Sequence, residues 1–180
     1  MKKSFILLVA IAVSLTSQAQ KYFTNSGKVS FFSKAAIENI EAHTNQAFAL
    51  MNTTTGGIAY KIIIRSFEFD KALMQEHFNE EYMESVKFPN ATFEGKITNL
   101  SAVDFKKDGT YKVTVKGKLT VHGVTKEVEI PGDIKVEKGK IVNQSTFKIK
   151  LADYGVINDK KTKIADEIEI KVDAILAPKS

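Results

Sequence analysis

Three histidines, His43, His77 and His122, are the first residues to weigh for chemistry, and none stands at ligand or triad spacing from a partner. His77 with Glu80 or Glu81 would set an imidazole and a carboxylate on adjacent turns of a helix. Two ligands fall short of the three or four that a protein metal site uses. A polar or hydrogen-bonded helix histidine explains His77 more simply. His122 precedes Gly123 and reads as a turn residue that tolerates left-handed backbone. There is no cysteine, which removes disulfides, thiolate ligands and thiol catalysis together. No GxSxG, GxGxxG or phosphate-binding loop occurs among the serines and glycines. The expectation is a protein that is not an enzyme and carries neither cofactor nor metal.

What the chain concentrates instead is apolar ring surface. Phe67, Phe78, Tyr82, Phe88 and Phe93 fall within residues 66–95. Together with His77 from the same stretch and Gly117 further along, they are candidate ligand-binding residues of an apolar cavity. Binding an apolar chain needs no catalytic group. Burial yields roughly 0.8 kcal/mol per methylene, and micromolar affinity corresponds to about 8 kcal/mol. About ten buried carbons would therefore suffice, before the cost of ordering a flexible chain. The same residue types also build ordinary cores, so type alone does not separate pocket from core.

A pocket needs walls, and the pattern supplies strands. Residues 28–33, 37–43, 47–52 and 58–69 read as strands, the second of them bulged. The last is apolar on both parities and is expected to be covered on both faces. Phe93, Gly95 and Ile97 open a cleaner alternation, followed by Tyr111, Val113, Val115, Gly117, Leu119 and Val121 on one face. His122-Gly123 predicts a two-residue hairpin turn. Pro131-Gly132 and Lys138-Gly139 predict further turns. Inner faces recur at Ile141, Phe147, Ile149 and Leu151, and from Ile168 to Leu176. Repeated one-faced strands with short turns predict an all-β fold, an antiparallel up-and-down barrel of about eight strands, with room for one small ligand. Gly95, Gly117 and Ala174 point inward on this reading. They either leave space or serve close strand packing.

One helix interrupts the strands. Asp70 stands where an N-cap belongs, Phe69 and Met74 have staple spacing, and Leu73, Met74, His77, Phe78 and Tyr82 share one face. Pro89 forbids helix at Phe88.

Two runs, ALMQEHFNEEYMESVKFPNATFEG and KLTVHGVTKEVEIP, resemble the YceI-like family. That family carries a His-Phe or His-Leu step, then Lys-Phe/Tyr-Pro-x-Ala-x-Phe, then a Leu-Thr-x-His-Gly-Val-Thr-Lys hairpin. The matching residues here are His77-Phe78, Lys87 to Phe93, and Leu119 to Lys126, with the likeness running from about Tyr22 onward. Where relatives carry Arg-Asp before the histidine, this chain has Gln75-Glu76, so no role of that pair is carried over. Asp153-Tyr154-Gly155 resembles the family's late loop, which implies Tyr154 at the cavity mouth as an eighth candidate ligand-binding residue. The resemblance implies a lipocalin-like barrel whose relatives bind polyisoprenoids such as quinone tails or polyprenyl phosphates. It also implies a Gram-negative source.

The 180 residues suit one domain with a real core. Residues 1–19 read as a cleaved secretory leader: Lys2-Lys3, an apolar middle from Phe5 to Leu15, and Ser17-Gln18-Ala19 as the cleavage site. Residues 20–180 would form the single exported barrel, periplasmic in such a cell. With no cysteine after the leader, a lipoprotein is not expected. Losing Lys2 and Lys3 takes 26 basic residues to 24 against 21 acidic ones, a net charge of +3 instead of +5. That balance does not argue for nucleic acid. Transient membrane contact and a homodimer stay open. Two readings follow: a periplasmic carrier for an elongated apolar ligand of polyisoprenoid or isoprenoid-quinone type, or a stress-protective module with a filled barrel acting through its surface.

Overall fold

The computed structural model describes residues 21–34, 39–156 and 164–179. The expected leader and Ile37 lie outside these. Among the described residues the chain forms β1 (Lys21–Ser33), β2 (Ile40–Asn52), β3 (Gly57–Ile63), β4 (Glu68–Phe69), α1 (Ala72–His77), β5 (Asn90–Ile97), β6 (Gly109–Val121), β7 (Val124–Glu137), β8 (Lys140–Lys150) and β9 (Glu167–Pro178). Each long strand pairs antiparallel with the next, and β1 pairs with both β2 and β9. Eight strands thus close into a ring, and β4 is a two-residue spur on β2. The architecture is the expected up-and-down antiparallel barrel with one short helix.

Two tight turns set the register of its middle. His122 (φ 50) and Gly123 (φ 74) join Val121 to Val124, and Lys138 (φ 49) with Gly139 (φ 74) joins Glu137 to Lys140. Two successive positive φ angles match the right-handed twist of the flanking strands, which fixes which side chains face inward. Val113, Val115, Leu119 and Val121 are buried on that inward face. Gly95 and Gly117 sit opposite each other in the β5–β6 register. A Cβ on Gly117 would meet Glu94 O at 2.4 Å and Gly95 Cα at 2.5 Å. These glycines therefore let two strands approach, and the room they leave is filled by backbone and by the Phe93 ring.

Three expectations about elements are corrected. The separately expected strands 37–43 and 47–52 are, over residues 40–52, one strand, β2, with buried Thr44 bridging its polar centre through a 2.7 Å hydroxyl contact to Ser66. The register slips there, between Gly27↔Ala47 and Val29↔Thr44, so a polar interruption is absorbed as a bulge. Pro131-Gly132 is no turn but lies inside β7, paired to Thr114 and Val113. Pairing of β7 with β8 starts only at Asp133, so the missing proline N–H faces no ladder on that side. Finally, residues 58–69 are not one strand buried on both faces. β3 ends at Ile63, and a single 3-10 turn, Ile64–Ser66, precedes β4. Ile58, Tyr60, Ile62 and Ile64 face the interior on one parity, and the turn shifts phase so that Phe67 and Phe69 face it too.

Met51, Ile134, Ile141 and Leu176 are fully buried and close the barrel at the end away from α1. Ile58, Ile97 and Tyr22 pack into the same core.

Candidate ligand-binding cavity

Above that plug the barrel is not filled. A cavity of about 390 Å³ opens between the strands and the helical segment, within the range of small-molecule sites. Its wall is almost wholly apolar, and no lysine or arginine lines it among the described residues.

The helical segment forms the rim. α1 is six residues long and passes directly into a π-helical turn, Phe78–Tyr82, in which Met83 N–H donates to Phe78 O at 2.9 Å. Met74, His77, Phe78, Tyr82 and Met83 face the cavity. Leu73, expected on this face, is 61% exposed instead. It lies in the first turn, beside Lys71 and Ala72, where the helix starts in solvent. The start also differs: Lys71, not Asp70, occupies the N-cap, without a side-chain cap bond. Pairing of Phe69 with Ala42 holds the chain extended to that point, and Gln75 Oε1 reaches back to accept from Phe69 N–H at 3.4 Å.

Four phenylalanines lock this segment to the barrel. Phe78 lies 5.4 Å from Phe31, 5.7 Å from Phe67 and 5.0 Å from Phe69, ring centre to ring centre. Phe31 closes the set at 5.3 Å from Phe67 and 5.9 Å from Phe69. Offset and edge-on ring pairs of this kind contribute about 0.5–1.5 kcal/mol each beyond burial. Tyr154, buried in the 3-10 turn Leu151–Tyr154, meets the cavity from another side, and burial raises its phenol pKa, with Asp153 adding to the effect.

Of the eight candidate residues, Phe67, His77, Phe78, Tyr82, Phe93 and Tyr154 line the cavity, whereas Phe88 and Gly117 do not. Gly117 is occupied in holding β6 against β5. Phe88 turns away and packs on the β6–β7 hairpin, 4.5 Å from the His122 ring. A Cβ on Gly123 would lie 2.5 Å from that phenylalanine. His122 Nε2–H is 2.9 Å from Glu84 Oε2, 38 residues earlier in the chain. Glu84 is itself left-handed (φ 40) and accepts at its carbonyl from Lys87 and Phe88. The Lys-Phe-Pro and His-Gly segments thus clasp each other and hold the rim in place. His43 stands outside, 3.8 Å from Glu68 across the strand pair. Among the described residues no cluster of three metal-ligating groups occurs.

Two cavity residues escaped the sequence reading. Tyr60 and Asn143 face each other within it, and Asn143 Nδ2 donates to Tyr60 Oη at 3.2 Å. Burial, partly offset by that bond, pushes the Tyr60 phenol up to about 12. The inward parity of β8, followed through without skipping its polar members, would have marked Asn143.

The sequence model of one family, described as YceI-like domain, matches residues 10–176. No curated protein matches the chain. Among solved structures, a polyisoprenoid binding domain from Saccharophagus degradans, implicated in plant cell wall breakdown, superposes with a TM-score of 0.77. It is 14% identical, with 90% of this chain and 100% of that one covered. BcnA of Burkholderia cenocepacia gives 0.68 at 21% identity, covering 84% and 96%. A YCEI protein of Campylobacter jejuni gives 0.58 at 18%, covering 100% and 99%.

Proposed function

The chain belongs to the YceI-like domain family, and on that premise we propose that it is a non-enzymatic, lipid-binding barrel that carries an elongated apolar ligand of polyisoprenoid or isoprenoid-quinone type. The observation that supports this most is the largely apolar cavity of about 390 Å³, with no lysine or arginine among its described lining residues, walled by strands and rimmed by the phenylalanine cluster. Transfer of apolar surface from water drives such binding, and about ten buried carbons supply micromolar affinity in principle. A relative of the same fold is described as a polyisoprenoid binding domain, which points to the ligand class. In the same proposal, residues 1–19 direct export and are removed, and the carrier works in the periplasm.

Solvent extraction of protein purified from its host, followed by mass spectrometry, is expected to release an isoprenoid lipid in near-stoichiometric amount. Protein that arrives empty and takes up no isoprenoid from detergent solution would overturn the reading. The surface-acting alternative required a filled interior, and no observation of the barrel favours it.

A further inference from the structure

Deep in the apolar cavity stand a phenol and a carboxamide. Tyr60 is the fourth residue of β3 and Asn143 the fourth of β8, both counted from the barrel end opposite α1. Asn143 neighbours Ile134 of the floor plug in register. Their mutual bond uses an Asn143 N–H and a Tyr60 lone pair. The phenolic proton of Tyr60 is left over, and Asn143 Oδ1, on a residue 7% exposed, has no hydrogen-bond partner among the described residues. An unmet acceptor in such a place is unfavourable, so it calls for an occupant that donates to it. The pair offers one donor and one acceptor, with no lysine or arginine in the cavity wall among the described residues. Burying an anion there without a cation would be strongly unfavourable, and the raised phenol pKa shows that even Tyr60 resists carrying charge at this depth.

We propose that Tyr60 and Asn143 anchor a neutral hydroxyl head group of an apolar ligand that enters the barrel head first. This rests on the carrier reading above and adds the polarity of the bound end to it. The tail would then run up the cavity toward the Phe31–Phe67–Phe69–Phe78 rim, and a phosphorylated head group would be excluded from the floor. The ligand hydroxyl would donate its proton to Asn143 Oδ1 and accept at its own oxygen from the Tyr60 O–H.

Displacement of the dye N-phenyl-1-naphthylamine tests this with three probes of matched length: geranylgeraniol, geranylgeranyl phosphate and the hydrocarbon phytane. The intact protein is expected to bind the alcohol three- to tenfold more tightly than the hydrocarbon, the yield of about one net hydrogen bond, and the phosphate more weakly than the alcohol. Tyr60→Phe, and separately Asn143→Leu, should bring alcohol and hydrocarbon within about twofold while phytane affinity stays near its original value. Circular dichroism confirms that each variant is folded. Equal binding of alcohol and hydrocarbon by the intact protein, or an alcohol preference surviving both substitutions, would overturn the anchor and leave the carrier standing. Tighter binding of the phosphate would overturn head-first neutral recognition. If no probe displaces the dye, the carrier reading itself fails along with the anchor.

Discussion

Tyr60 carries a titration signature that can be measured without any ligand. Its phenol is neutral in the folded protein up to about 12, whereas an unfolded chain releases that proton near pH 10. Between those values the unfolded state holds fewer protons, so stability is intact below pH 10 and falls as pH rises toward 12. The loss is on the order of 2–3 kcal/mol from this residue, and Tyr154, shifted in the same direction, adds to it. Urea titrations from pH 9 to 12 are expected to show the decline, and Tyr60→Phe to flatten it. Gly117 makes a second claim of this kind. A methyl group there meets backbone of the neighbouring strand at 2.4 Å, and backbone cannot swing aside as a side chain can. Gly117→Ala is expected to cost 1–3 kcal/mol or more in denaturant midpoint, without altering the ligand selectivity of whatever folds. The glycine was legible as inward-facing from the alternation of β6. Its task was not, because the gap a missing side chain leaves depends on how closely the facing strand comes.

The rim is where local signals and tertiary packing part company. Asp70 is a good N-cap and Leu73 a good member of an apolar stripe, yet strand pairing at Phe69 delays the helix and its first turn, with Leu73, stands in solvent. A six-residue helix is far below the length that is stable by itself, so its rings, not its caps, hold it. Phe78 contacts three other phenylalanines. Phe78→Ala is expected to destabilise the protein by ~3 kcal/mol, the lower end for phenylalanine truncation because the ring is half-buried. Amide exchange in residues 72–83 should rise well beyond that in β6. Uniform acceleration across the barrel would show that the rim is not a separate unit. Pairing between the Lys-Phe-Pro and His-Gly segments had no local cue either. Glu84 and His122 are 38 residues apart, and the fold alone makes them neighbours.

At the scale of the barrel the question is vacancy. Val115→Trp puts an indole into the cavity from the centre of β6. It is expected to abolish uptake of isoprenoid probes at a stability cost of about 1–3 kcal/mol. Because the chain contains no other tryptophan, blue-shifted emission would report directly that the ring sits inside. Unchanged uptake with a buried indole would mean the ligand binds elsewhere. The unbroken runs of β2 and β7 were missed, but an antiparallel up-and-down barrel of about eight strands was readable in advance from period-two alternation, two-residue turns and the absence of any crossover connection. Those are properties of short windows of chain. The 3-10 turn that swings Phe67 and Phe69 inward, the Gly95–Gly117 approach, the clasp around Phe88 and the meeting of Tyr60 with Asn143 were decided by the folded barrel. Each depends on packing between segments far apart in the chain, and whether the space between them is empty, filled or hydrogen-bonded depends on barrel diameter and stagger, which no single segment encodes.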